Sequence, residues 1–268
     1  MLSHMLIKLL ATATIVILVA LAVGRLGPKL GGILAGTPVI LGPGYFFMLR
    51  EQSIEFVQNA VLATLHALVA TLLFTVCFVL TAGRLSAWQS LLLASLLWVP
   101  FALVFTQLPG GLLWAIAVYV AVLVMAEGVN RWLRLTQPVV VASAGWLDLV
   151  GRGVLAGAVV SVATTLAARS GPALSGVLLG FPAGILTIAW ALHERYGAEV
   201  ARMTVSMTQR GMLSLIAFCS VSYLGVTYWP GMLVFALSLA ASMLTSFALF
   251  MFSLWRARAL LAESRNAR

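Results

Sequence analysis

The chain has 268 residues, of which 62% are hydrophobic and 9% charged, with 16 Lys and Arg against 7 Asp and Glu. Soluble domains carry roughly 25% charged residues, so this composition excludes a water-facing globule and points to one whose surface is solvated by lipid. The basic residues sit singly between apolar runs, with no cluster or stacking platform, so nucleic acid is not an expected partner.

Apolar runs of about 20 residues, the length a bilayer crossing needs, fall at 5–23, 31–49, 55–82, 87–107, 111–133, 148–168, 173–192, 200–226 and 231–255. They predict an all-α polytopic transmembrane helical bundle of about nine spans, a single membrane domain over 1–268. Its first half runs to about 134 and its second from about 146 to 258; a short polar tail, 259–268, lies on the cytoplasmic side. The first run follows Lys8 without a small-residue cleavage site, so it reads as part of the fold and not as a signal peptide. If all nine runs cross, 12 basic residues fall on one side and 3 (Lys8, Arg50 and Arg169) on the other, with Arg210 inside a run. That asymmetry predicts an external N-terminus and a cytoplasmic C-terminus, in the inner (plasma) membrane of a bacterial cell. Re-entrant versions of 31–49 and 173–192 weaken the asymmetry, so broken but spanning helices are preferred.

The second and seventh runs carry an ungapped repeat at an offset of 144 residues. Arg25, Gly27, Pro28, Leu30, Gly32, Leu34, Gly36 and Pro38 recur as Arg169, Gly171, Pro172, Leu174, Gly176, Leu178, Gly180 and Pro182. Glu55, Val61 and Thr64 keep the register with Glu199, Val205 and Thr208. Five runs precede the second copy's start and four make up that copy. An odd number inverts it, giving a 5+4 inverted-topology repeat with 87–107 as the extra run. Pro28 and Pro172 suit a first helical turn. The Gly-x-x-x-Gly pairs suit close backbone approach. Pro38 and Pro182 predict breaks near mid-membrane, with a second break at Gly42-Pro43-Gly44. Paired breaks in two halves point to a binding site at the repeat interface.

Polar residues in the runs supply the lining of that site: Thr37, Gln58, Asn59, Thr64 and His66 in the first copy, and Thr208, Gln209 and Arg210 in the second. Pro38 and Pro182 join them. Arg210, the repeat counterpart of His66, is the costliest, since a cation at mid-helix costs about 2.5–3.5 kcal/mol unless it faces protein or water. Glu127 has Arg131 four residues on as its expected partner. Cys77 and Cys219 lie inside apolar runs and read as packing residues. No metalloprotease, phosphate-loop or Cys/His motif occurs, so no catalytic residue, cofactor or metal is expected. These features lead to a membrane transporter or permease for a small polar or anionic solute, and not an enzyme. A flippase or carrier for a lipid-linked phosphate is the alternative, and a non-transporting scaffold or complex subunit the reading from a different class. The expected partners are membrane lipids and the solute or lipid phosphate, with self-association into an oligomer left open.

Overall fold

The structure, a computed structural model, describes residues 2–25, 38–135, 145–165 and 167–266. All regular structure among them is helical. In chain order the helices are α1 (Leu2–Arg25), α2 (Leu41–Glu51), α3 (Ile54–Thr81), α4 (Ala87–Thr106), α5 (Leu112–Trp132), α6 (Trp146–Thr165), α7 (Ala167–Leu179), α8 (Ala183–Tyr196), α9 (Ala198–Gly211), α10 (Leu213–Gly225) and α11 (Gly231–Asn266). Seven stretches are long and apolar enough to cross a membrane. They include α7 and α8 taken together, Arg169–Tyr196. Two expected runs differ. Part of 31–49 lies outside the described residues, which keep α2. The run 200–226 is divided at Met212, where Leu215 N donates to Met212 O at 2.9 Å, a tighter turn than the α ladder on either side.

The bundle is organised around α3. Its 28 residues are apolar on every face and buried along most of their length, the pattern of a helix enclosed by others. Ser53 starts it by accepting from Phe56 N at 3.3 Å. Helices α4, α5, α7, α9 and α10 all pack against it. The outer helices α4, α5 and α11 leave Leu96, Val99, Leu103, Val124 and Leu244 exposed. Apolar exposure on this scale suits lipid, not water.

Helix α7 is laid on α3 by its glycines. Gly171 adopts φ +79° and interrupts the helix, which Pro172 then restarts, as the sequence predicts for a first-turn proline. Beyond it, Gly176 sits so near α3 that a Cβ there would lie 2.1 Å from Ala60 O, and one on Gly180 would lie 2.5 Å from Ala67 Cβ. The Gly-x-x-x-Gly expectation is therefore met for Gly176 and Gly180 by a close helix contact, while Pro28, Gly32 and Gly36 of the first copy lie outside the described residues. Gly176→Ala is expected to cost about 1–3 kcal/mol through forced separation of the helices. Gly151→Ala, with nothing within 4 Å of its Cβ position, is the control. Thermal unfolding in detergent separates the two, and equal midpoints contradict the packing.

Several contacts come in pairs offset by 144 residues. On the α1–α6 face, a Cβ on Gly157 would lie 2.5 Å from Leu9 O and one on Gly153 would lie 3.1 Å from Ala13 O. Residues 153 and 157 are the counterparts of 9 and 13. Likewise Gln58 Nε2 donates to Tyr223 O at 3.3 Å, and Arg202 Nε donates to Val79 O at 2.7 Å. Residues 202 and 223 are the counterparts of 58 and 79. These last two bonds lie at opposite ends of α3. One end of the bundle gathers Lys8, Glu51, Gln58 and Thr227; the other gathers Ala82, Asp148, His193 and Arg195.

Candidate functional site

The two prolines are placed differently, and the residues before Pro38 lie outside the described ones. Pro182 has no N–H, so Leu178 O takes Phe181 N instead, at 3.1 Å, and a new helix starts at Ala183. Pro38 stands just before α2, where its carbonyl accepts from Gly42 N at 2.6 Å. The second break expected at Gly42-Pro43-Gly44 does not occur. These residues form the first turn of α2, where a missing N–H loses no intrahelical bond. Both prolines are buried, and the helix starts that follow them meet. A Cβ on Gly44 would lie 2.6 Å from Leu179 Cδ2, and one on Gly184 would lie 3.6 Å from Ile40 Cδ1. Ile40 and Gly184 occupy the same position in the two sequence copies, 144 residues apart.

Backbone carbonyls near the break are satisfied from α3, as a low-dielectric setting requires. Thr64 Oγ1 donates to Gly176 O and Thr71 Oγ1 to Gly180 O, each at 2.8 Å. Each threonine is itself held by an aromatic side chain. Tyr45 OH lies 2.6 Å from Thr64 Oγ1, and Trp98 Nε1 donates to Thr71 Oγ1 at 2.9 Å. Thr64 is thus in the region expected for the site. Tyr45, Thr71 and Trp98 were not among the sequence candidates. A signal existed: Thr64, Thr71 and Thr75 follow helical spacing along one face of an otherwise apolar run.

A second polar cluster joins the halves at α9. Gln209, fully buried, donates from Nε2 to Thr75 Oγ1 at 3.0 Å and accepts at Oε1 from Asn130 Nδ2 at 2.7 Å. It ties α9 to both α3 and α5. Next to it Arg210 grips Glu127 of α5 through Nε and Nη2, one nitrogen to each carboxylate oxygen. Arg131 is the partner that spacing suggests for Glu127; the ion pair seen crosses 83 residues to Arg210 instead of staying on one helix. Arg210 remains 52% exposed, and the carboxylate offsets its charge at the exposed edge of the interface.

The other candidates scatter. His66 is only 3% exposed, and its Nε2 has no hydrogen-bond partner. Gln58 serves the far end of α3, bonding Tyr223 O and Thr227 Oγ1. Asn59 is exposed. Thr208 bonds back to Val205 O within its own helix. Thr37 lies outside the described residues. A cavity of about 140 Å³ opens away from these residues, at the Glu51 end, lined by Leu49, Gln52, Ile54, Val57, Val226, Trp229, Pro230 and Gly231. Its counterpart corner lies at the other end. His193 and Ala82, the counterparts of Leu49 and Val226, are joined by a hydrogen bond of 3.1 Å between His193 Nε2 and Ala82 O.

No known family model, curated protein or solved structure matches this chain, so its function is read from this geometry.

Proposed function

We propose that the chain is a secondary transporter for a small polar or anionic solute in the inner membrane. In this reading it crosses nine times as two inverted halves, with the Glu51 end outside and the C-terminus in the cytoplasm. The observation that carries the reading is the difference between equivalent corners. The Leu49–Val226 corner lines an open cavity while the equivalent His193–Ala82 corner is joined by a hydrogen bond. Two inverted copies that exchange these roles give alternating access around a fixed midplane site.

The contacts between helix ends support the nine crossings. Lys8 bonds Glu51, and nine crossings put both outside. A re-entrant 31–49 would send Glu51 to the side opposite Lys8. Asp148 with Arg195, and Ala82 with His193, belong to the cytoplasmic side by the same count, which also holds most basic residues. The polar groups Thr64, His66 and Thr71 of α3 and Gln209 of α9 are buried inside the bundle. A carrier needs such groups to replace the hydration of its solute.

Uptake by proteoliposomes, measured over a panel of radiolabelled organic anions and small polar solutes, tests the proposal. At least one solute should accumulate above empty vesicles. Pro182→Ala should lower that uptake about tenfold or more while leaving the protein folded, because it removes the interruption that lets α7 and α8 move separately. Accumulation of no solute, together with no ligand-dependent thermal shift over the panel, refutes the transporter reading.

A further inference from the structure

We propose that Arg152 and Arg195 form a phosphate-binding site at the Arg195 end of the bundle, able to take the phosphate of a lipid headgroup or a free phosphate ion.

The case starts from the repeat. Lys8 and Glu51 form an ion pair, one cation to one anion. Their counterparts, 144 residues on, are Arg152 and Arg195. The second copy thus brings two cations to the corner where the first brings opposite charges. Asp148, one turn before Arg152 on α6, answers only part of this. Its Oδ2 accepts from Arg195 Nη1 at 3.1 Å and from Gly145 N at 3.2 Å. Arg152 lies within electrostatic reach of both Asp148 and Arg195. Yet its Nε is buried with no hydrogen-bond partner among the described residues.

Two guanidiniums against one carboxylate leave a net positive charge at this corner, where Arg195 is 45% exposed and Arg152 half-buried. An orphaned buried donor adds to the cost. One tetrahedral anion relieves both: its oxygens accept from Arg152 and from the half-exposed guanidinium of Arg195, in the forked geometry that guanidinium offers phosphate. The position suits such a ligand. Trp146, at the start of α6, is exposed and marks the headgroup level. Arg152 stands six residues further along, about 9 Å at 1.5 Å per residue. The site does not depend on transport.

Purified full-length protein in neutral detergent, stripped of lipid, is titrated with inorganic phosphate, phosphatidylglycerol or diacylglycerol. Bound molecules are counted by native mass spectrometry and the unfolding midpoint is recorded. Phosphatidylglycerol or phosphate should bind and raise the midpoint, and diacylglycerol should do neither. A response to phosphate identifies a soluble anion, and a response to phosphatidylglycerol alone identifies a headgroup. Arg152→Gln should weaken binding about tenfold, and Arg152→Lys, which keeps charge but loses the fork, should fall between. Arg84, exposed at the same end, supplies the control. If Arg84→Gln weakens binding as much as Arg152→Gln, or if neither phosphate source binds, the proposal is overturned. Should Arg152→Gln fail to fold, Arg195→Gln replaces it with the same expectation.

Discussion

Removing the hydrogen bonds made by His193 and Arg202 is expected to open the Arg195 end and, reciprocally, to close the Glu51 end. In a background lacking Cys77 and Cys219, single cysteines at Leu49 and Ala82 report the two corners through their rates of reaction with a membrane-impermeant maleimide, applied from each side. In the parent chain Leu49→Cys should react at least tenfold faster than Ala82→Cys, since Leu49 lines the cavity and Ala82 lies under His193. His193→Ala combined with Arg202→Gln deletes one neutral and one charge-assisted bond to α3 carbonyls. Such bonds contribute about 0.5–1.5 and 1.5–3 kcal/mol. Together they bias a two-state equilibrium by at least tenfold. Labelling at Ala82 should therefore rise while labelling at Leu49 falls. A rise at both positions would mean local loosening and no exchange. The result requires no knowledge of the solute, so it tests the two-state device separately from transport.

Backbone chemistry was the part of this fold most legible in the sequence. Proline and glycine act through their own geometry, so Pro172 as a helix start, the Gly176–Gly180 face and the Pro182 interruption could all be read without a partner in view. The length of the apolar runs likewise gave nine expected crossings, of which seven are stretches long and apolar enough to cross among the described residues. What could not be read was which polar residue meets which. In a chain where lipid-facing and core-facing surfaces are equally apolar, periodicity does not say which side of a helix faces protein. Gln209 looked like a site residue because it is polar at depth. Its actual bonds to Thr75 and Asn130 depend on how three helices converge. Gly42-Pro43-Gly44 misled for a related reason: the same residues break a helix in its middle and are neutral in its first turn, and only the start of α2 at Leu41 decides between these. The offset of 144 residues carried more than its identities. Gln58 and Arg202 differ in chemistry and were not matched by residue type, yet they make equivalent bonds at opposite ends of α3.

Charge reversal across Arg210 and Glu127 is expected to rescue what either single change destroys. The pair is bidentate, with Nε and Nη2 each on its own carboxylate oxygen, and it links α9 of the second half to α5 of the first. Arg210→Leu removes a residue that is costly in a bilayer, yet it takes from Glu127 its bidentate partner, and the loss of that counter-charge is costly in its turn. The variant should therefore be less stable than the parent and lose most uptake. Arg210→Lys keeps the charge but offers a single point contact in place of the fork, so it should retain an intermediate share of both. Glu127→Gln should resemble Arg210→Leu in uptake, since the cation then lacks its counter-charge. The exchanged pair, Glu127→Arg with Arg210→Glu, restores opposite charges at the same junction and should recover stability beyond the sum of the single changes, by about 0.5–3 kcal/mol of coupling. Unfolding midpoints and uptake measured on these four variants, and on the single reversals Glu127→Arg and Arg210→Glu that close the cycle, decide the matter. Additive stability effects would mean that the two side chains act independently. A fully active Arg210→Leu would mean that the junction between the halves does not depend on its charges.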